Sequence, residues 1–163
     1  MNAKDAIRSA ANMSQMVLSK YLDDLDDADL MRRPSEGCNH LAWQLGHLIS
    51  SEKMLLESLA PGAGPDLPEG FAEKHSKETI DDDNAANFCK KQEYLDLWQK
   101  VREASLAALD KLPESDLDGA APEHFRSMFP TAGDVWMLVA MHGLMHSGQF
   151  VPVRRTLGKP VVI

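Results

Sequence analysis

The sequence predicts an all-α protein, a four-helix bundle with a long crossover connection between helices 2 and 3. Four segments carry apolar residues at the 3.6-residue spacing of amphipathic helices. The composition is rich in Leu, Ala and Met and contains only 6% aromatic residues, which favours helix over sheet. Residues 61–83, rich in Pro, Gly and charge, join the second and third segments. This stretch is long enough to cross between the two ends of a bundle.

The first two helices are delimited by charge and by helix-stop signals. The first is predicted from Ala3 to Leu25, where an acidic stretch ends it. The second is predicted over residues 39–59. Asn39 is expected to be its N-cap, because the side-chain oxygen can accept a hydrogen bond from a free amide of the first turn. Pro61 and the glycine that follows it stop this helix.

The third and fourth helices are predicted over residues 85–112 and 131–156. Pro113 follows the third helix and prevents its continuation. The fourth helix opens on Thr131, with Asp134 three residues later, which is the spacing of a capping box. Gly158 ends it.

Length, charge and cysteine content narrow the class of protein. The 163 residues are the size of one ordinary domain, so we expect a single domain over residues 1–163. The net charge of −8 repels phosphate backbones and argues against nucleic-acid binding. Two isolated cysteines, Cys38 and Cys89, fit a reducing cytoplasm. The sequence has no signal-peptide core and no apolar run of about 18 residues, so we expect a cytoplasmic protein without a membrane span.

Two histidines of the fourth helix are candidate metal ligands. His142 and His146 are four residues apart and project within about 40° of each other, so both imidazoles can reach one ion. The residue after His142 is Gly143, not the glutamate of the HExxH motif, which excludes that metalloprotease class. Val135 and Val139 share the stripe, so the imidazoles should face the apolar interior. Either a metal ion or ordinary hydrogen bonds to carbonyl groups would satisfy them there.

His47 lies on a second stripe of the second helix. The main stripe consists of leucines: Leu41, Leu45, Leu48, Leu55, Leu56 and Leu59. His47 falls off its centre, together with Trp43, Ser50 and Met54. A helix with two such stripes can contact the core with one and a pocket with the other. His40 faces the same way as His47 but is about 10 Å further along the axis, too far to share an ion.

The other histidines are predicted to be solvated. His40 sits in the first turn of its helix, and His75 and His124 lie in charged loops. Glu52 is different, since it falls near the middle of the leucine stripe, where a carboxylate costs free energy. Three interpretations are open for Glu52: a hydrogen bond to a metal-bound histidine, a bridge to another helix through backbone or arginine, or an exposed end of the bundle.

Taken together, these motifs resemble a known family. The segment HGLMHSGQFVPVRRTLG resembles the HxxxHxGQ…RRxLG signature of the DinB-like, YfiT-like proteins, and NHLAWQLGHLISSEKML resembles their W…GH…E helix. The resemblance covers nearly the whole chain. It implies a four-helix bundle that is often dimeric, and three metal-binding histidines, which by motif are His47, His142 and His146. It also implies zinc or nickel as the metal, with water in open positions.

The resemblance suggests a function as well. Relatives include S-transferases and isomerases that use low-molecular-weight thiols, so we expect a small-molecule substrate or thiol, a homodimer, and an open three-histidine site. Such a site would suit a thiol S-transferase or a hydrolase. Two alternatives are a non-catalytic metal-dependent binding or stress-response protein, and a metal ion with a purely structural role. Trp43, Met54 and Gln149 are expected to line the pocket, and Glu52 to orient a group or act as a base.

Pro152 departs from the pattern of the relatives, which usually carry an ordinary helix residue there. Its ring would crowd the carbonyl of Gly148. We therefore expect a kink or an early helix end near Val151. Such a change would redirect Arg154 and Arg155.

Overall fold

The computed structural model describes residues 1–161, and over this range the chain is all-helical, which confirms the all-α class. Its α-helices are α1 (Ala3–Leu22), α2 (Asp27–Leu30), α3 (Leu41–Leu59), α4 (Phe71–Lys74), α5 (Lys91–Lys111) and α6 (Ala132–Thr156). The described residues form no β-strand; one isolated bridge pairs Ala120 with Thr131. Within the same range, every helix is too short or too polar to cross a bilayer.

The first helix begins where predicted and ends one turn earlier. The Asn2 side chain accepts from the Asp5 amide at 2.8 Å, and the Asp5 carboxylate accepts from the Asn2 amide at 3.1 Å. This capping box fixes the start of α1. The helix stops at Leu22, and the Leu25 amide donates to the Leu22 carbonyl in a turn. Leu25 is still buried, so its hydrophobic role is as the periodicity predicts.

The N-cap of α3 is His40, not Asn39. Nδ1 of His40 accepts from the Trp43 amide at 3.0 Å, and its Nε2 lies 3.0 Å from the Asp82 carbonyl, to which it donates. The imidazole is fully buried, so the expectation of a solvated His40 was wrong. The reason is tertiary: the acceptor for Nε2 comes from a connection 42 residues away, which helical periodicity cannot reveal.

The third long helix starts later than predicted. Residues Ala85–Asn87 form a 3-10 turn capped by the Asn84 side chain, and Phe88 is extended. Helix α5 then begins at Lys91, where the Lys90 amide donates to the Glu93 carboxylate at 2.7 Å. The apolar face predicted for this segment is nevertheless retained, since Phe88 packs in the core from outside the helix.

Helix α6 has the predicted N-cap but not the predicted early end. Thr131 Oγ1 accepts from the Asp134 amide at 3.2 Å, which confirms the capping box. The helix continues through Pro152 to Thr156, which confirms the predicted end at residue 156. Of the two alternatives expected from Pro152, the early end is therefore wrong, and the kink stays a prediction. Arg154 supplies the physical reason: its buried guanidinium donates to the Tyr21 carbonyl at 2.7 Å and holds the last turn against α1.

The long helices bury two neighbouring hydrophobic clusters. Helix α1 packs along α6, and α3 packs against both α5 and α6. The first cluster includes Leu18, Leu22, Leu45, Ile49, Tyr94, Val101 and Phe150. The second includes Ile7, Leu55, Leu56, Leu109, Val135, Trp136 and Val139. Helices α1, α3, α5 and α6 each contribute to both clusters.

A buried ion pair joins α3 to α5 where the chain passes from one cluster to the other. Arg102 Nη2 donates to Glu52 Oε2 at 2.8 Å, and the two side chains are 2% and 5% exposed. Along α3, Glu52 lies between Ile49 of the first cluster and Leu55 of the second. Glu52 therefore bridges two helices through an arginine, which was one of the three interpretations, and it does not lie at an exposed end of the bundle.

His75 anchors the long connection onto α3 and α5. Its Nδ1 donates to the Phe71 carbonyl at 2.7 Å, and its Nε2 accepts from the Tyr94 hydroxyl at 2.8 Å. The ring packs on Gly46, where a Cβ atom would overlap it, so α3 needs a glycine at this position. His75 is 3% exposed, and the expectation of a surface residue was wrong. The acceptor that makes its burial tolerable, the Phe71 carbonyl, is local, but the donor, the Tyr94 hydroxyl, is 19 residues away.

Candidate metal centre

The structure brings together the three histidines that the sequence singled out. His47 comes from α3, and His142 and His146 come from successive turns of α6. Their candidate ligand nitrogens all lie within 4.8 Å of one another. The ring centroids are 5.3 Å apart for His47 and His142, 5.3 Å for His47 and His146, and 5.0 Å for His142 and His146.

The geometry of α6 explains why two of its imidazoles face α3. Gly143 and Ser147 are buried, and a Cβ on Gly143 would lie 2.9 Å from Ser14 Oγ of α1. This close approach directs the Gly143 face of α6 toward α1. His142 and His146 each precede a residue of that face by one position, so their side chains lie about 100° around the helix from it. They are therefore partly exposed beside α3, as is His47.

Burial keeps all three imidazoles neutral. Burial, together with the smaller effect of the positive charge that a neighbouring histidine would carry, lowers the pKa of His142 and of His146 to about 4. Burial also lowers the pKa of His47. A neutral imidazole offers a lone pair, which a metal ion requires. The cluster is therefore ready to bind a cation at neutral pH without first losing protons.

The hydrogen bonds around the cluster fit a metal site. Nδ1 of His146 lies 3.0 Å from Oε1 of Gln44, which leaves Nε2 free. Nδ1 of His142 is buried and has no hydrogen-bond partner within residues 1–161. A polar atom in that state costs free energy that coordination of an ion would offset. The residues present thus fit a divalent metal ion, although coordination itself stays a prediction.

The indole ring of Trp43 packs against the imidazole of His47. The two rings stack with centroids 5.1 Å apart and an interplanar angle of 8°. Trp43 Nε1 donates to the Ser76 carbonyl at 3.1 Å and to Thr79 Oγ1 at 3.2 Å. Trp43 is only 5% exposed, so it packs behind the histidine and is covered by the long connection.

The other predicted site residues lie apart from the histidines or at their margin. Glu52 pairs with Arg102, and no hydrogen bond joins it to a histidine in the described part of the chain. Burial raises the pKa of Glu52, and the Arg102 guanidinium opposes this rise. Met54 is 50% exposed two turns beyond His47 on α3. Gln149 is exposed one turn beyond His146 on α6.

Sequence reasoning missed Gln44. It is fully buried in α3, and Nε2 of its amide donates to the Asn39 carbonyl at 2.8 Å. Gln44 precedes His47 by three residues, so both side chains fall on one side of the helix. The sequence did contain a signal for Gln44, because it is a polar residue in an otherwise apolar segment and lies three residues from a candidate ligand.

Metal binding should depend weakly on pH between 7.5 and 5.5. At about pH 5.5, each ligand with an unperturbed pKa near 6.5 would be about 90% protonated, and three of them would weaken zinc binding about a thousandfold. With the pKa of His142 and His146 at about 4, these two remain neutral. We expect the zinc affinity to change by less than about tenfold over this range. Competition with a chelator at each pH measures it; a thousandfold loss contradicts the buried neutral cluster.

Comparison with known proteins agrees with the fold and the motifs. No curated protein matches the chain in sequence. The crystal structure of a conserved protein from Enterococcus faecalis is similar to this one, with a TM-score of 0.72 and 18% sequence identity over 98% of this chain and 99% of that chain. At that identity the likeness shows the fold. The sequence profile of the DinB superfamily matches residues 10–150. The chain belongs to the DinB superfamily.

Proposed function

We propose that this protein is a metal-dependent enzyme of the thiol S-transferase or hydrolase type. It binds one divalent ion, zinc or nickel, through His47, His142 and His146. The observation that carries the proposal is the convergence of three imidazoles from two helices, with their candidate ligand nitrogens within 4.8 Å of one another. Their depressed pKa values and the unpartnered Nδ1 of His142 support it.

Three protein ligands would leave at least one coordination position of the ion open for a substrate or water. A divalent ion on three imidazoles supplies Lewis-acid chemistry that lowers the pKa of a thiol or a water molecule in its open position. The protein's own part is to position the site. Trp43 holds His47 by stacking, and partial exposure of the three imidazoles gives a small molecule access. Gln149, exposed one turn beyond His146, is available to contact that molecule.

A second candidate is a non-catalytic metal-dependent binding or stress-response protein. The observation that favours it is the pairing of Glu52 with Arg102, which occupies the one carboxylate proposed as a base. An enzyme would have to carry out its reaction without Glu52 as the base, whereas a binding protein needs no base. A purely structural metal is less well supported, because structural sites are closed by a fourth protein ligand.

The proposal includes a four-helix bundle with a crossover between α3 and α5. Glu52 pairs with Arg102, and Gly46, six residues earlier, lies beside His75, which is bonded to Tyr94. These pairs support parallel α3 and α5, and residues 60–90 would then return the chain to the starting end.

The proposal also includes a homodimer in the cytoplasm. Met137, Met141 and Met145 are exposed by 37%, 39% and 63% at four-residue intervals on α6, which supports an apolar stripe suited to association. The two free cysteines support a reducing compartment. Light scattering on the purified protein tests the dimer, and a monomeric mass at micromolar concentration contradicts it.

Turnover assays test the choice between enzyme and binder. Zinc- and nickel-loaded protein is incubated with a panel of low-molecular-weight thiols and a fluorogenic alkylating agent, and separately with activated esters. We expect thiol- or water-dependent turnover that is lost in His47→Ala and retained in His124→Ala, since His124 is exposed and outside the cluster. Stoichiometric metal with no turnover on any of these substrates would favour the binding protein.

A further inference from the structure

Gln44 makes hydrogen bonds with both ends of its amide. Its Nε2 donates to the Asn39 carbonyl at 2.8 Å, and its Oε1 lies 3.0 Å from Nδ1 of His146. The side chain is fully buried. The Asn39 carbonyl fixes the orientation of the amide, because a carbonyl can only accept and the alternative orientation would set the amide oxygen against it.

This orientation determines which nitrogen of His146 carries the proton. The amide oxygen of Gln44 can only accept, so Nδ1 of His146 must donate. A neutral imidazole has a single N–H group, and Nε2 therefore keeps the lone pair. His142 differs, because no residue in the range 1–161 bonds its buried Nδ1. Of the two α6 histidines, His146 alone has a protein partner that selects its tautomer within the described residues.

We propose that Gln44 is a positioning residue that holds His146 in its Nδ1–H tautomer and presents Nε2 as the ligand atom. The ligand role of Nε2 rests on the proposed metal site. The hydrogen bond between Gln44 and His146, and the tautomer that it selects, do not. Helix α3 then supplies both a ligand, His47, and the residue that orients a ligand on α6. Outer partners of this kind fix the ring orientation and raise the basicity of the ligand.

Two variants of Gln44 separate orientation from packing. Gln44→Met keeps the length of the side chain and removes the acceptor. Gln44→Glu keeps an acceptor for Nδ1–H, loses the donor to Asn39 and adds a carboxylate charge. Gln99→Met is the matched control, since Gln99 is exposed on α5 and, among residues 1–161, its side-chain amide donates to Glu103 alone. Circular dichroism and thermal unfolding establish that each variant is folded.

The first readout is the tautomer in metal-free protein. Long-range nitrogen–proton NMR spectra of labelled histidine should show His146 as the Nδ1–H form in the native protein, in Gln44→Glu and in Gln99→Met. In Gln44→Met we expect a mixture with the Nε2–H form. A native protein in which His146 carries its proton on Nε2 overturns the inference, whether or not metal binds.

The second readout is the affinity for zinc, measured by competition with a chromophoric chelator. We expect about 10- to 100-fold weaker binding in Gln44→Met, the cost typical of removing an orienting partner. Gln44→Glu should recover most of the loss, and Gln99→Met should bind as the native protein does. If native protein and Gln44→Met bind zinc equally, the inference fails while the metal site stands. If native protein binds no zinc, the proposed function fails, and the tautomer alone decides the role of Gln44.

Discussion

Replacing His47 by alanine is expected to weaken zinc binding about a thousandfold, more than the 10- to 100-fold cost of losing an orienting partner. His47 is the one histidine of the cluster that lies on α3; the other two lie on α6. Without it, an ion would be held by His142 and His146 alone, and the link between the helices would be lost. Chelator competition measures the affinity, and thermal unfolding with and without zinc measures the coupling to stability.

The control for this variant is His124→Ala, which removes an exposed imidazole outside the cluster. It should bind zinc with native affinity. Zinc should raise the unfolding temperature of the native protein and of His124→Ala, but not of His47→Ala. Equal zinc affinity in all three proteins would contradict the assignment of His47 as a ligand.

Replacing Glu52 by alanine is expected to lower the free energy of unfolding by about 3–5 kcal/mol, because it leaves a buried guanidinium without its counter-ion. Arg102 is 2% exposed, and its Nε and Nη1 have no hydrogen-bond partner within residues 1–161. Removing the carboxylate takes away the remaining compensation for the buried charge. Urea denaturation monitored by circular dichroism measures the loss.

Two further variants identify the cause. Asp110→Ala breaks an ion pair with Arg8 whose side chains are 62% and 34% exposed, and should cost less than about 1 kcal/mol. The double variant Glu52→Leu/Arg102→Met removes both charges and should be more stable than Glu52→Ala. If Glu52→Ala is as stable as the native protein but loses turnover, Glu52 acts in the reaction and its structural role is wrong.

The elements governed by local chemistry could be predicted from sequence. The N-cap of α6 at Thr131 follows from the spacing to Asp134, because a capping box is made by residues three apart. The convergence of His142 and His146 follows from the helical repeat for the same reason. His47 was different: periodicity placed it off the leucine stripe, and only the family resemblance identified it as the third member of the cluster.

The errors at His40 and His75 share one physical cause, the folding of the long connection back onto α3. His40 is buried because the Asp82 carbonyl accepts from it, and His75 because Tyr94 donates to it. Both partners are distant in sequence, so no local pattern distinguishes these histidines from solvated ones. Glu52 illustrates the same point, since its position in an apolar stripe indicated a buried partner but could not name Arg102.

The metal content of the purified protein decides whether the three histidines form a metal centre. The protein is stripped with a chelator, reloaded with zinc, freed of unbound ion by gel filtration, and analysed by mass spectrometry of the elements. We expect about one ion per chain for the native protein and less than about one tenth for the variant in which His47, His142 and His146 are all alanine. A native protein that retains no ion, or a triple variant that retains as much, would contradict a metal centre built from these three histidines.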